Sequence, residues 1–388
     1  MRMNAKTETP TQVSILVGNG LSVAFNPDLN LRALTEEVMK RIERADGGDA
    51  VIAMKRLAKH ALPHGAESED DFEVLVGAFG VETSNLSTLH ELASLTSPEN
   101  TELAEAIEMV RDFSEQVRFN GISHVLEVIC ERTHAAKAKT EQLNALITAI
   151  LDGFDGRVSF GNLNYDTLLL AELLRIRRER GESVADLANG SAKVTVTVGS
   201  SKEKEVQELR RNVADFPPQH RIRVLHLHGS LTYWNVPAKD QFVKIKKEDL
   251  QDCGQWEAVR DQTTEARPVV VLANPRDKAT HVTDYPFTVA YEAYKDSLRE
   301  SDFWLIIGYS FRDPHVNRIL QREFLRKDRS PRVLVVTHGR TPTRQHIEDA
   351  FGWGAEDPES SEWLTINRDG ANGLEKRDDW KKFVPDSD

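Results

Sequence analysis

The stretch Gly161 to Leu170, GNLNYDTLLL, follows an apolar-rich segment at Arg157 to Phe160 and leads into a helical pattern. This order predicts a strand, a sharp polar turn and a helix. In an open α/β sheet such turns lie at the carboxyl ends of the strands, where ligands bind. Asn162, Asn164 and Asp166 are crowded into the turn, and the following helix directs its N-terminal dipole to the crevice. We therefore expect the rest of the chain to build a pocket around this turn.

A similar unit lies near the N-terminus, where the apolar run Val13 to Val17 is followed by Gly18 and Gly20. Glycine can adopt positive φ and lets the backbone approach a phosphate closely, while exposed N–H groups and the Ser22 hydroxyl can donate to it. The spacing lacks the full GxGxxG pattern. A phosphate-binding loop and an ordinary tight turn are therefore equal alternatives for this segment.

The region from about Ala45 to Leu151 has apolar residues three and four positions apart, as at Ile122, Val125 and Ile129. This spacing predicts helices. The region separates the first two strands by far more residues than a simple crossover needs. We expect a helical subdomain that is inserted into the sheet domain and either covers the pocket or mediates assembly.

A further strand is predicted at Ile222 to Gly229, where His226 and His228 alternate. Side chains alternate between the two faces of a strand, so residues two apart point to the same face. The histidine nearer the strand end should reach the crevice. Imidazole titrates near neutrality, so His228 can take a proton from a hydroxyl or from water. We favour this catalytic interpretation over a core histidine bonded to a carbonyl, and we assign His226 to structure. A metal site would need a third protein ligand, and the sequence offers no obvious one.

Two more apolar runs, Pro268 to Ala273 and Phe303 to Ile307, also end in polar residues. After the second run, Gly308 and Ser310 repeat the small residues of the first glycine turn. Asp313, which precedes a proline, fits a helix N-cap with proline at the first helical position. That structural role is a complete explanation for this aspartate.

The remaining segments complete the predicted organisation. Strands are expected at Lys193 to Val198 and Arg332 to Thr337, which brings the total to about six or seven. Gly199 to Gln219 is polar and contains two prolines, so we expect a surface excursion. The acidic tail from Asp369 to Asp388 is expected to be peripheral.

Composition limits the classes of partner. The 388 residues include 50 Lys plus Arg against 62 Asp plus Glu, giving a net charge of −12 and a pI near 5.6. Such a chain repels a phosphate backbone, so direct nucleic-acid binding is not expected. Two cysteines suit a reducing compartment, and neither a signal core nor 18 consecutive apolar residues occur. We expect a cytoplasmic protein that does not span a membrane.

Four strand ends carry GNGLS, NLNYD, HLHGS and GYSFRDPHVN in that order, and together they resemble the sirtuin family, most closely the bacterial sirtuin-like proteins of antiphage defence. The resemblance covers the sheet domain, about two thirds of the chain. It implies an α/β fold with a Rossmann-like, mostly parallel NAD-binding sheet at 13–44 and 152–340. A helical subdomain would be inserted at 45–151, and 341–388 would form a C-terminal segment. Two cysteines cannot build the four-cysteine zinc module of protein-deacetylating sirtuins, which argues against peptide deacylation.

The resemblance also implies roles for individual residues. Asn164 and His228 would be catalytic, and no metal is expected. The residues implied to contact NAD are Gly18, Asn19, Gly20, Ser22, Asp166, Gly308, Ser310 and Asn317.

The chemistry of such a site follows from the bond that is broken. Cleavage between nicotinamide and ribose builds positive charge on the sugar and needs a nucleophile on the opposite face. We expect an NAD hydrolase in which Asn164 orients the ribose and the attacking water and His228 acts as general base. Transfer of ADP-ribose or an acyl group to a protein, and a nucleotide sensor without catalysis, are the alternatives.

The defence relatives suggest a biological setting. They imply antiphage defence by NAD depletion, a homo-oligomeric protein, and a HerA-type hexameric ATPase as a partner. The residues of this chain do not by themselves specify the trigger or the number of subunits.

Overall fold

The computed structural model describes residues 10–61, 86–95, 101–135, 139–272, 282–354 and 359–385. The strands in these residues are β1 (Val13–Val17), β2 (Val158–Asn162), β3 (Val184–Ala185), β4 (Lys193–Val198), β5 (Lys202–Glu208), β6 (Ile222–His226), β7 (Gly229–Val236), β8 (Gln241–Lys244), β9 (Arg267–Val270), β10 (Phe303–Ile307), β11 (Arg332–Val336) and β12 (Leu364–Asn367).

The α-helices are α1 (Asn19–Phe25), α2 (Leu31–Asp46), α3 (Gly48–Ala61), α4 (Thr101–Ala135), α5 (Thr140–Gly153), α6 (Leu168–Arg180), α7 (Lys247–Asp252), α8 (Gln255–Arg260), α9 (Phe287–Glu300), α10 (Pro314–Leu325), α11 (Arg344–Phe351) and α12 (Asp378–Phe383). Residues 86–95 are also helical. None of the described helices combines the length and apolar composition that crossing a membrane requires.

Seven of the described strands form a parallel sheet in the order β12-β11-β10-β1-β2-β6-β3. The central strands, VSILV of β1 and FWLII of β10, are nearly continuous apolar runs, as expected for strands covered on both faces. The chain leaves β1 towards β2 and β6 on one side and later returns to β10 on the other side. The predicted α/β class with a mostly parallel sheet is confirmed.

Five other described strands form a separate antiparallel sheet in the order β4-β5-β8-β7-β9. The predicted total of about six or seven strands is therefore too low, and the run at Pro268 contributes β9 to this second sheet. The chain changes sheets at Gly229, whose φ is +86°. A Cβ there would lie 2.1 Å from the Val269 carbonyl oxygen. Glycine is needed because no other residue fits both the backbone angle and this approach.

Two further expectations are corrected. The polar segment Gly199 to Gln219 contains β5, whose sequence KEKEVQE buries mainly Val206 and leaves much of the strand exposed. The acidic tail is not peripheral, because Trp380 and Phe383 of α12 are buried and pack against Phe154.

The helices between 45 and 151 do not all pack in one place. Residues of α4, including Val125 and Ile129, share a buried cluster with Trp234 and Val243 of the antiparallel sheet. Residues of α5 belong instead to the cluster beneath the parallel sheet. The division at 45 and 151 remains a prediction.

Candidate functional site

The turns after β10, β1, β2 and β6 lie side by side because these strands are consecutive parallel neighbours. Backbone hydrogen bonds join them: Leu163 N donates to Val17 O at 3.0 Å, and Leu227 N donates to Asn162 O at 2.8 Å. The topological switch of the sheet lies between β1 and β10, which is where ligands bind in open α/β sheets. The four sequence motifs therefore meet at one edge.

Three glycines bring the β1 and β10 turns into backbone contact. Gly20 N donates to Gly308 O at 3.0 Å. A Cβ on Gly18 would lie 2.7 Å from Gly308 O, and one on Gly20 would lie 2.6 Å from Gly308 Cα. Gly308 itself has φ of +64°, which L side chains rarely adopt. The glycines are thus required for the approach of the two turns, whatever ligand they contact.

The polar residues of the β2 turn hold the β1 turn through a chain of hydrogen bonds. Asn164 Nδ2 donates to Gly18 O at 3.0 Å and to Ser22 Oγ at 2.9 Å. Ser22 Oγ in turn donates to Asp166 Oδ2 at 2.7 Å. Because a side-chain amide has two N–H groups, both donors of Asn164 are in use and its Oδ1 is the atom left for other partners.

Asp166 is buried, and both its oxygens accept hydrogen bonds, since Oδ1 accepts from Leu168 N at 2.9 Å. Burial raises the pKa of Asp166, and the bonds from Ser22 and the backbone oppose that change. In this conformation Asp166 fixes the turn, and the single proton of Ser22 is directed at Asp166 rather than at a phosphate.

The two histidines lie in different elements. β6 ends at His226, and His228 lies in the connection to β7, so the prediction that both alternate on one strand is wrong. Asn162 is oriented by its own turn, because its Oδ1 accepts from Asn164 N and its Nδ2 donates to Asn164 O. Asn162 Nδ2 also lies 3.2 Å from His226 Nδ1, which must therefore accept. Burial lowers the pKa of His226 to about 4, in agreement with a neutral structural ring.

His228 faces a carboxylate from the far side of the crevice. Its Nε2 lies 3.2 Å from Asp313 Oδ2, and the side chains are 5% and 7% exposed. In this conformation the angle between the two groups is too bent for a hydrogen bond between Nε2 and Oδ2. Asp313 is also the N-cap of α10, as predicted, and accepts from His315 N at 2.9 Å and Val316 N at 3.2 Å.

Asn317 supports the β10 turn from the first turns of α10. Its Nδ2 donates to Phe311 O at 2.8 Å, and its Oδ1 accepts from the Tyr309 hydroxyl at 2.7 Å. Phe311 has φ of +58°, which is rare for a bulky residue. Asn317 therefore holds an unusual backbone turn in place.

A cavity of about 1050 Å³ opens at this edge, between the β10 and β11 turns and the C-terminal segment. Of the predicted site residues, the cavity is lined by Gly20, Gly308, Ser310 and Asn317. The predicted residues that do not line it are Gly18, Asn19, Ser22, Asn164, Asp166 and His228. Asn19 is exposed, whereas the other five are buried behind the glycine contact.

The charged lining of the cavity was not predicted. It includes Lys139, Arg312 and Arg318 on the cationic side and Asp349 and Asp369 on the anionic side. Arg312 lies inside the GYSFRDPHVN motif and Arg318 directly follows it, so that motif carried a signal. Lys139 and the two aspartates come from distant segments, and no sequence motif marked them as site residues.

Among the described residues, no group of three or more His, Cys, Asp or Glu side chains is arranged to hold a metal ion. Cys130 is buried and Cys253 is partly exposed, and both are free thiols. The groups that the described edge offers are the Asn164 amide, the His228 imidazole, the Asp313 carboxylate and the guanidinium groups of Arg312 and Arg318.

Comparisons with known proteins relate this edge to one family. The SIR2-like domain profile matches residues 159–353, about half of the chain, and this span contains the turns after β2, β6 and β10. None of the curated proteins matches the chain. A solved structure described as "Structural Basis for the Mechanism and Regulation of Sir2 Enzymes" aligns at 10% identity with a TM-score of 0.29, covering 96% of this chain and 93% of that one. With so low a score, the family assignment depends on the domain match alone.

Proposed function

The chain belongs to the family of SIR2-like domains, whose activity is NAD-dependent, and from that premise we propose that it hydrolyses NAD to nicotinamide and ADP-ribose. The observation that carries the proposal is the position of Asn164 and His228. They follow neighbouring strands at the edge of the sheet that also holds the cavity. An amide and an imidazole at a topological switch point are suited to orienting a water molecule and removing its proton.

The reaction breaks the bond between nicotinamide nitrogen and C1′ of the ribose. Positive charge develops on the sugar, a water oxygen bonds to C1′, nicotinamide leaves with the bonding electron pair, and one proton is released. Asn164 would act through Oδ1, since Gly18 and Ser22 occupy its N–H groups. An acceptor can hold a ribose hydroxyl or the water. His228 would take the proton.

The cavity can receive the rest of the substrate. Its volume is at the upper end of the range for small-molecule sites. Arg312 and Arg318 offer guanidinium groups to the diphosphate, which Arg recognises well because its donors match two phosphate oxygens. A local cationic group is needed because the net charge of −12 repels a dinucleotide at long range.

Entry of the nicotinamide end requires a local movement. Asn164 and His228 are 7% and 4% exposed, so the reacting ribose reaches them only when the covering turns open. The β10 turn is the natural candidate, since it carries the unusual backbone angle at Phe311 and contacts His228 through Asp313. An enzyme whose reacting groups are covered at rest consumes little NAD until it is activated.

Product analysis tests the reaction class. Purified protein is incubated with NAD, and the products are identified by chromatography and mass spectrometry. We expect nicotinamide and free ADP-ribose in equal amounts, with His228→Ala as the inactive control. ADP-ribose attached to protein would replace hydrolysis by group transfer, and tight NAD binding without any product would indicate a sensor.

We also propose the defence setting that the sequence motifs suggest: a homo-oligomer that depletes NAD during phage infection, activated by a hexameric ATPase of the HerA type. Cells expressing the chain with such an ATPase should lose NAD after infection, and cells expressing His228→Ala with it should not. Equal NAD levels in the two strains would refute this role. Native mass measurement of the purified protein, alone and mixed with the ATPase, tests the assembly.

A further inference from the structure

Asp313 uses its two oxygens for different purposes. Oδ1 caps helix α10 by accepting from two backbone N–H groups, while Oδ2 lies 3.2 Å from His228 Nε2. The contact crosses the crevice, because β6 and β10 are separated in the sheet by β1 and β2. Three strand spacings amount to about 14 Å. The two turns must therefore lean towards each other over the ends of β1 and β2.

Helix capping alone does not account for an aspartate here. Asn and Ser cap as well as Asp does, and a carboxylate that is 7% exposed has a desolvation cost that a neutral cap avoids. A negative charge beside an imidazole is the property that only the acid supplies. Two further polar side chains adjoin the pair. Tyr291, from α9, has its pKa raised first by burial and then by the charge of Asp313, and it contacts the His315 ring edge-on at 4.9 Å.

We propose that Asp313 is a positioning residue for His228 in the NAD hydrolysis proposed above, on which this inference depends. A carboxylate at Nε2 selects the tautomer that carries its proton there. Nδ1 then holds the lone pair and accepts the proton of the attacking water. The imidazolium that results is stabilised by the carboxylate, and this interaction is strong because both groups are withdrawn from solvent.

Substitutions at Asp313 can separate the cap from the contact with the histidine. Asp313→Asn and Asp313→Ser both keep an oxygen for the cap, so we expect both to fold. Asn turns an N–H towards Nε2 and favours the wrong tautomer, and Ser is too short to reach the ring. Asn30→Ala is the matched control, because Asn30 caps α2 through bonds to Arg32 N and Ala33 N and has no part in the site.

Two measurements are made on the full chain. NMR of protein labelled with ¹⁵N in the histidine rings reports which ring nitrogen carries the proton, with His228 identified among the 12 histidines by its loss in His228→Gln. We expect the wild-type His228 ring to carry its proton on Nε2 and both Asp313 variants to lose this preference, since the carboxylate faces Nε2. Nicotinamide release, measured against pH, should fall at least tenfold in both variants and stay unchanged in Asn30→Ala.

The outcomes separate this inference from the proposed function. The same tautomer in wild type and in both Asp313 variants overturns the pairing, whatever the activity. A changed tautomer while release stays within twofold of wild type overturns the positioning role. If the wild-type protein releases no nicotinamide but the tautomer changes in the variants, the hydrolase proposal fails and the His228–Asp313 pair stands. Loss of release in Asn30→Ala as well would reduce Asp313 to a helix cap.

Discussion

Gly308→Ala adds one methyl group at the contact between the β1 and β10 turns. The new Cβ would lie 2.4 Å from Leu21 N and 2.5 Å from Gly20 Cα, and both atoms belong to the backbone. No flexible side chain can move aside. The residue must also keep φ near +64°, where an alanine is strained. We expect the substitution to destabilise the folded protein and to separate the two turns.

The magnitude is the sum of two effects. A non-glycine residue in the left-handed region costs about 1–2 kcal/mol. Forcing a methyl group into a filled space costs about 1–3 kcal/mol. Gly308→Ala should therefore lower the free energy of unfolding by about 2–5 kcal/mol. Gly181, at the end of α6, has φ of +70° with nothing within 4 Å of a Cβ. Gly181→Ala should therefore cost only the backbone term of about 1–2 kcal/mol.

Urea unfolding is followed by tryptophan fluorescence and by circular dichroism, because chains of this size often unfold in steps. Trp304 is buried in β10 and reports on this part of the sheet. The difference in free energy of unfolding between Gly308→Ala and Gly181→Ala measures the cost of the steric overlap at Gly308. Equal loss of stability in the two variants would refute the close contact between the turns.

Two other perturbations have defined outcomes. Burial opposes ionisation of Asp186, but the Lys244 ammonium outweighs burial and lowers the pKa of Asp186 to about 2. This pair therefore stabilises the fold above pH 4, and that contribution is lost as the pH falls from about 4 to 2. Asp186→Asn should flatten the decline of the urea midpoint over that range, and an unchanged decline would contradict the pairing. Arg318→Ala should weaken NAD binding about five- to thirtyfold in calorimetry, since a charged hydrogen bond at a partly exposed site contributes about 1–2 kcal/mol. Arg32→Ala, which breaks a surface ion pair with Glu36, is its control, and equal affinities would argue against the cavity as the NAD site.

Much of the parallel sheet could be predicted because a strand covered on both faces needs apolar residues at every position. VSILV and FWLII meet that requirement, and the small or polar residues after them mark the turns. The N-cap at Asp313 was predictable for a similar reason, since a cap depends only on local sequence.

The parts that could not be predicted depend on contacts between distant segments. β5 was not predicted, because an exposed strand such as KEKEVQE has no apolar pattern to mark it. The packing of α12 was not predicted, because its two buried aromatic residues, Trp380 and Phe383, lie in an otherwise charged segment. The approach of Asp313 to His228 follows from the order of β10 and β6 in the sheet, which local sequence does not specify.

Nicotinamide release by wild type, Asn164→Ala and His228→Ala tests the central claim most directly. Each protein is first shown by urea unfolding to be folded, and His90→Ala, on the helix at 86–95, serves as a histidine control because His90 belongs neither to the four turns nor to the cavity lining. Loss of a positioned acid–base group typically costs about 10²- to 10⁴-fold in rate. We expect release by wild type and His90→Ala, a loss of that size in His228→Ala, and loss of release in Asn164→Ala as well, because the water or ribose is then no longer oriented. Undiminished release by a folded His228→Ala protein would contradict the account.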